Sequence, residues 1–181
     1  MNIFTIFVAI FNLLSNPPDI KTVDNFNITK YTGTWHQVYD NNYNKLFINN
    51  VSCVRHHYQS DFDTLVHISY LKQDENIFQK DSGVLKLNND TTSGQLKISL
   101  DSQLLDNDYF ITKLGPVIDD EYQYAIVTDS FKLSLYVLAR NINYFFDNYD
   151  DEVTNFLSNT CSNDKTIEYL TTPIKINNDC L

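Results

Sequence analysis

A chain of 181 residues with 43% hydrophobic residues can bury one sizeable core, and it is too short for two ordinary domains and a linker. Its 13 basic and 23 acidic residues give a net charge of −10. This balance argues against nucleic acid or an anionic membrane surface as a partner, because both are bound by clustered Lys and Arg. Twelve Tyr, twelve Phe and a single Met favour strands over a helical bundle.

The first 14 residues form an uncharged apolar run that ends at Ser15-Asn16-Pro17-Pro18. The run is too short to span a bilayer and is typical of the apolar region of a secretory signal peptide, although it has no preceding Lys and no Ala-x-Ala cleavage site. A buried N-terminal strand or helix is the alternative. We expect a signal peptide over residues 1–16, one domain over residues 17–181, a secreted extracellular protein and no membrane insertion.

Three Asn-x-Ser/Thr sequons begin at Asn27, Asn50 and Asn89. They are glycosylation acceptors only if the chain enters the secretory pathway. Because an Asn-rich chain contains some sequons by chance, we predict glycosylation at these sites on the strength of the predicted signal peptide.

A short helical turn is expected before Tyr31, and eight segments with strand patterns follow, separated by polar turns. Gly83 predicts a bend or bulge in its strand. The predicted strands, A to H, cover residues 33–40, 51–60, 65–72, 77–87, 95–100, 109–114, 121–128 and 131–140. Eight consecutive strands with short links indicate an up-and-down antiparallel β-barrel, since closure removes both sheet edges.

The pattern changes after the last strand. Residues 148–160 place Val153, Phe156 and Leu157 at helical spacing, with three acidic residues in the first turn where the helix dipole favours them. Residues 167–170 resemble a short strand. The expected fold is therefore all-β, an eight-stranded barrel with one C-terminal α-helix packed outside.

Two segments resemble conserved motifs of the lipocalin family, in particular its apolipoprotein D and insect bilin-binding branch. Residues 23–35 contain Gly33-x-Trp35 at the start of the first strand, and residues 136–141 contain Arg140 at the end of the last. The resemblance implies that Arg140 packs across Trp35 and closes the narrow end of the barrel, a cation–π contact worth about 0.5–2 kcal/mol. The middle motif departs from the family pattern. Its nearest counterpart is residues 119–122, which leaves the register of strands F and G open.

Three cysteines in a secreted chain imply one disulfide bond and one remaining thiol. The lipocalin resemblance pairs Cys53 with Cys180 and leaves Cys161 unpaired. A bridge between Cys161 and Cys180 stays open as the alternative. An unpaired Cys161 is either a partly buried thiol or the attachment point of a disulfide-linked partner.

No metal site, haem site, other cofactor or catalytic group is expected. The four histidines are not spaced as metal ligands are: His36, His56, His57 and His67. His56 and His57 are consecutive and so point to opposite faces of a strand. The acidic residues at 119–121 are typical of a solvated turn. Because no Ser-His-Asp or Cys-His set has a helpful order, we do not expect an enzyme.

An eight-stranded barrel has room for one small ligand, so the residues that bind it should occupy the inward positions. Strand B is oriented by placing Cys53 outward towards the C-terminal tail, and strand H by placing Arg140 inward. Leu135, Val137 and Ala139 then form an outer strip beneath the helix. The predicted ligand-binding residues are Val54, His56, Tyr58, Val66, Ile68, Tyr70, Leu96, Ile98, Leu100, Tyr136 and Leu138.

The expected function is a carrier that sequesters a small hydrophobic ligand such as a bilin, a retinoid or a fatty acid. Burial of apolar surface drives binding, and Tyr58, Tyr70, Tyr136 and His56 supply orienting hydrogen bonds. One alternative is a scavenger of biogenic amines or another small host mediator, which suits the acidic charge but lacks a clear pair of inward carboxylates. A lipocalin-type enzyme and a barrel filled by its own side chains are further alternatives.

Overall fold

The structure is a computed structural model that describes residues 3–46, 51–61, 64–73, 77–87, 93–160 and 163–178, apart from the side chains of residues 51, 61, 66–73 and 77–79. Within these residues the strands are β1 (Gly33–Asn41), β2 (Val51–Asp61), β3 (Thr64–Gln73), β4 (Ile77–Leu87), β5 (Gln95–Leu100), β6 (Asn107–Leu114), β7 (Val117–Ile118), β8 (Glu121–Tyr122), β9 (Tyr124–Thr128), β10 (Leu135–Ala139) and β11 (Pro173–Lys175). The helices are α1 (Ile3–Ser15), α2 (Ile28–Tyr31), α3 (Asn42–Lys45), α4 (Ile142–Asn148), α5 (Asp150–Ser158) and α6 (Lys165–Thr171).

Eight antiparallel strands form a closed barrel in the order β1-β2-β3-β4-β5-β6-β9-β10. The barrel closes because β10 pairs with β9 on one side and with β1 on the other. The ninth strand of the sheet, β11, pairs with the end of β1, outside the barrel, while β7 and β8 form a separate hairpin. The predicted eight-stranded antiparallel barrel and the helical turn before Tyr31 are confirmed.

The strand β4 passes Gly83 without the predicted bulge. Its register with β3 and with β5 is continuous on both sides of this residue, so the prediction of a bulge is wrong. A Cβ atom at Gly83 would lie 2.2 Å from the backbone oxygen of Ser99. Glycine is therefore needed here because the backbone of β5 approaches closely.

Several predicted strand limits differ from the structure, and hydrogen bonds explain the largest difference. The last barrel strand begins at Leu135, four residues later than predicted. The Asp129 carboxylate accepts hydrogen bonds from the backbone N–H groups of Phe131, Leu133 and Ser134, which holds this segment in a loop. The predicted strand G is divided at Gln123 into β8 and β9.

The outer helix α5 lies where the sequence predicts it, and other helices flank it. Val153 and Leu157 of α5 are buried against the outer strip of Leu135, Val137 and Ala139, as predicted. Helix α4, which directly precedes α5, is not predicted from the sequence, and neither are α3 and α6.

Residues 167–170 are helical, so the predicted strand there is wrong. The Asp164 side chain accepts hydrogen bonds from the N–H groups of Thr166 and Ile167 and caps α6. Ile167 and Leu170, three residues apart, are both buried, which is the spacing of one helix face.

The N-terminal helix α1 packs on α6. Ala9 is buried in a cluster with Leu133, Ile167 and Leu170. Its other face is apolar and largely exposed, since Phe4 is 71% exposed and Phe7 67%. None of the described helices has the length and hydrophobicity needed to cross a membrane.

Candidate ligand-binding site

One end of the barrel is closed by Trp35 and Arg140. Trp35 is fully buried, and its Nε1 donates a hydrogen bond to the backbone oxygen of Tyr31 at 2.9 Å. The guanidinium carbon of Arg140 lies 3.8 Å from the centre of the Trp35 ring. The same guanidinium donates hydrogen bonds to the backbone oxygens of Lys30, Thr32, Thr34 and Tyr122. The predicted contact is confirmed, and Arg140 also ties the N-terminal segment to the barrel.

Gly33 allows the guanidinium to approach this closely. Its φ of +95° is in the region that favours glycine, and a Cβ atom there would lie 3.0 Å from Nη1 of Arg140. A side chain at residue 33 would therefore strain the backbone and crowd Arg140. The Gly-x-Trp motif is thus part of the barrel closure.

The segment predicted to replace the middle motif lies at the same end. Asp119 and Asp120 have positive φ angles in the turn between β7 and β8. Tyr122 is buried, its ring stacks on Phe26, and its hydroxyl accepts a hydrogen bond from the N–H of Asn27. Oε2 of Glu121 lies 3.7 Å from Nε of Arg140. Residues 119–122 therefore support the Trp35–Arg140 contact.

The register between β6 and β9, which the sequence leaves open, is defined in the structure. Ile111 pairs with Val127 and Leu114 with Ala125. A register shift lies between Ile111 and Lys113. Ile111, Ala125 and Val127 consequently all reach the inner cluster of the barrel.

Inside the barrel, three tyrosine hydroxyls form a hydrogen-bonded chain beside Trp35. The hydroxyl of Tyr109 lies 2.8 Å from the hydroxyls of both Tyr31 and Tyr58. Burial raises the pKa of each of these tyrosines above its ordinary value. They therefore stay protonated at physiological pH and act as hydrogen-bond donors and acceptors. Of the three, sequence reasoning identified only Tyr58.

Removing the central hydroxyl should destabilise the barrel. Tyr109→Phe leaves the hydroxyls of Tyr31 and Tyr58 without this partner in a buried place, so we expect the free energy of unfolding to fall by about 1–3 kcal/mol. Chemical unfolding followed by circular dichroism measures it, with Tyr169→Phe as the control because Tyr169 is 53% exposed. Equal stability of the two variants would show that the hydrogen bonds between the tyrosine hydroxyls contribute nothing to the free energy of unfolding.

A second polar pair lies next to the tyrosines. Nε2 of His56 is 3.0 Å from Oε1 of Gln37. The His56 ring stacks on Tyr58 with a centroid separation of 6.3 Å. Gln37 is buried and is opposite Leu138 in the β1–β10 register. His56 is therefore on the inward side, as predicted.

The rest of the described inner wall is apolar. Its buried members include Leu65, Leu85, Leu96, Ile98, Ile111, Ala125, Val127 and Leu138, with Leu100 and Tyr136 partly buried against them. Leu96, Ile98 and Leu138, with Leu100 and Tyr136 packed against them, are predicted ligand-binding residues that belong to this inner wall. Their contact with a ligand stays a prediction.

The comparisons agree with this geometry. A family model described as a lipocalin-like domain matches residues 26–160. The chain belongs to the lipocalin family. A search of curated proteins by sequence gives no match.

Solved structures share the fold of this lipocalin. Insecticyanin from the tobacco hornworm Manduca sexta is 15% identical, with a TM-score of 0.66 over 89% of this chain and 85% of that chain. Lobster apocrustacyanin A1 is 20% identical, with a TM-score of 0.63 over 91% of each chain. Japanin from Rhipicephalus appendiculatus, solved with cholesterol bound, is 18% identical, with a TM-score of 0.56 over 85% of this chain and 97% of that chain.

Predicted ligand-binding residues also lie on β3 and β2 of this lipocalin. In β3, Leu65 is buried in the inner cluster, whereas Val66, Ile68 and Tyr70 pair with Gln59, His57 and Arg55, whose side chains are exposed. The side chains of Val66, Ile68 and Tyr70 lie outside the described part of the structure, so their inward position stays a prediction.

In β2 the register shifts between Ser52 and Arg55. Cys53 has a φ of +55°, and both Cys53 and Val54 are buried. The prediction that Cys53 faces outward while Val54 faces inward assumed strict alternation, which this bulge interrupts. Val54 does not belong to the described inner cluster, so it is placed less favourably for a ligand than Tyr58.

A cavity of about 580 Å³ lies outside the barrel wall, between the strands and the helices. Its lining includes Ile126, Leu135, Phe156, Leu157 and Ile167. None of the predicted ligand-binding residues lines it. Among the described residues, no group of three or more His, Cys, Asp or Glu is placed to hold a metal ion.

Proposed function

We propose that this lipocalin is a secreted carrier that sequesters a small, mainly hydrophobic ligand, such as a bilin, a retinoid or a fatty acid, inside its barrel. One observation carries the proposal. The described inner wall is mainly apolar, and the barrel is closed at one end by Trp35 and Arg140. The ligand therefore enters at the opposite end, where β10 begins and β1 ends.

Apolar burial supplies the affinity. A ligand that buries about 300 Å² of apolar surface at about 25 cal/mol per Å² gains about 7 kcal/mol before the entropic cost of binding. No chemical step by the protein is part of this mechanism, so we propose a binding protein and not an enzyme.

The hydroxyl of Tyr136 is the best polar contact for the ligand among the described tyrosines. The Tyr58 hydroxyl is already engaged with Tyr109. Tyr136 is partly buried against the inner cluster, and its hydroxyl makes no hydrogen bond within the part of the chain that the structure describes. We therefore assign to Tyr136 the orienting hydrogen bond that the sequence analysis assigned to Tyr58, Tyr70, Tyr136 and His56 together.

Native mass spectrometry tests the proposal. The protein is secreted from eukaryotic cells, purified without detergent and measured before and after denaturation. We expect one small apolar molecule per chain, lost on denaturation, or uptake of one added molecule of 1-dodecanol per chain. Absence of both would overturn the carrier function.

The processing of the chain is part of the same proposal. We propose removal of residues 1–16, a disulfide between Cys53 and Cys180, and glycans at Asn27, Asn50 and Asn89. Cys53 is disulfide-bonded, and its N–H donates a hydrogen bond to the backbone oxygen of Asn177, near Cys180 in sequence. Asn27 is exposed, whereas Asn50, Asn89, Cys161 and Cys180 lie outside the described residues.

Peptide mapping of the secreted protein without reduction tests these modifications. We expect a peptide beginning at residue 17, a linked pair containing Cys53 and Cys180, and glycan masses on the sequons. A Cys161–Cys180 pair would contradict the disulfide, and a dimer linked through Cys161 would instead identify the alternative partner.

A further inference from the structure

A buried carboxylate lies at the end of β1 on the side of the barrel interior. Val38 and Tyr39 both pack in the outer cluster at the register shift between Gln37 and Tyr39. The alternation then resumes, so Asp40 is on the inward side. Asp40 is 8% exposed. Tyr39 pairs with Val137, so the next position in this antiparallel register places Asp40 beside Tyr136.

Within the described residues, the protein donates hydrogen bonds to one of the two oxygens of the Asp40 carboxylate. Oδ1 accepts hydrogen bonds from the backbone N–H of Asn41 at 2.8 Å and from Nδ2 of Asn44 at 2.6 Å. In the described parts of the chain, Oδ2 accepts no hydrogen bond, and the nearby Tyr136 hydroxyl has none either. Among the described residues, the buried side-chain polar atom without a hydrogen-bond partner is Oδ1 of Asn178, so Oδ2 of Asp40 keeps some contact with solvent and can accept a hydrogen bond from a ligand.

The charged groups around this position leave the surroundings acidic. Lys45 of α3 is the nearby cation, but it forms no ion pair with Asp40 in the described residues. Asp129, in the loop before β10, adds a second negative charge near Tyr136, and Tyr43 is also close to it. A cation that reached Oδ2 would therefore meet a favourable potential.

We propose that Asp40 and Tyr136 form a subsite for a protonated amine at one end of an otherwise apolar ligand. The apolar part of the ligand lies along the inner wall, and the ammonium group donates hydrogen bonds to Oδ2 of Asp40 and to the Tyr136 hydroxyl. The inference rests on the carrier function proposed above and specifies its ligand class as amphiphilic amines.

A matched pair of probes tests the subsite. Dodecylamine and 1-dodecanol share one chain and differ in the head group, and isothermal titration calorimetry measures their dissociation constants. We expect the wild-type protein to bind dodecylamine about tenfold or more tightly than 1-dodecanol, since a charge-assisted hydrogen bond is worth more than a neutral one. Binding of 1-dodecanol without this preference overturns the subsite alone, whereas binding of neither probe overturns the carrier function.

Two variants separate a specific role from a general charge effect. Asp40→Asn keeps an acceptor for Asn41 and Asn44 and removes the charge, so we expect it to lose the amine preference while 1-dodecanol binds within about threefold of wild type. Asp147→Asn removes an equal charge from the exposed side of α4 and should keep the preference. Loss in both variants would indicate surface attraction and overturn the subsite. So would retention in Asp40→Asn.

The pH dependence gives an independent readout. Burial raises the pKa of Asp40 above its ordinary value. As the pH falls through that raised pKa, the carboxyl becomes neutral while dodecylamine stays protonated. We therefore expect the amine preference to disappear on acidification and 1-dodecanol binding to stay constant. A preference that persists after the carboxyl is protonated would contradict the assignment.

Discussion

Trp35→Ala should lower the free energy of unfolding by about 3–5 kcal/mol, the usual range for removing a large buried aromatic side chain. Trp35 is fully buried, donates to Tyr31 and lies beneath Arg140. Removing the Trp35 side chain leaves a cavity, and the guanidinium of Arg140 loses the aromatic ring that it contacts. Urea unfolding followed by circular dichroism measures the change.

The control for this variant is Tyr169→Ala, which removes an aromatic side chain that is 53% exposed. We expect the control to change the stability by less than about 1 kcal/mol. A double-mutant cycle that adds Arg140→Met isolates the contact, with an expected coupling of about 0.5–2 kcal/mol. A loss at Trp35→Ala no larger than that of the control would contradict the closing role of this pair.

Leu100→Trp should weaken binding of 1-dodecanol about tenfold or more. Leu100 ends β5 and is partly buried against the inner cluster, so a larger side chain there occupies space that the ligand needs. Lys97→Trp is the matched control on the same strand, because Lys97 is exposed on the outer face. Its ion pair with Asp108 is at the surface and contributes little.

Isothermal titration calorimetry compares the two variants, and thermal unfolding checks that both are folded. We expect the Lys97→Trp protein to bind within about twofold of wild type, since nothing inside the barrel changes. Equal loss in both variants would indicate a general effect of added tryptophan. An unchanged affinity in folded Leu100→Trp would place the ligand elsewhere.

Local alternation was enough to predict the strand that contains Leu96 and Ile98, because polar residues separate them and only one face is apolar. It was ambiguous in β3, where the apolar residues at positions 66, 68 and 70 indicate one face and Leu65 indicates the other. The sequence offered no means of choosing, since either register is compatible with a half-buried strand. In the structure, Leu65 is buried in the inner cluster.

Contacts between distant residues were predictable only through a recognised motif. The Trp35–Arg140 pair follows from the family resemblance. No local sequence pattern predicts the hydrogen bonds that join Tyr31, Tyr109 and Tyr58, since these residues lie on different secondary-structure elements. The inward position of Asp40 was hidden as well, because simple alternation from Trp35 would place Tyr39 inside, and only the register shift after Gln37 reverses it.

The crystal structure of the secreted protein with its ligand bound is the most direct test of the central claim. We predict that the ligand lies inside the barrel, with its apolar part against Leu96, Ile98 and Leu100 and its polar end near Tyr136. A ligand found instead in the outer cavity lined by Leu135, Leu157 and Ile167 would contradict this account.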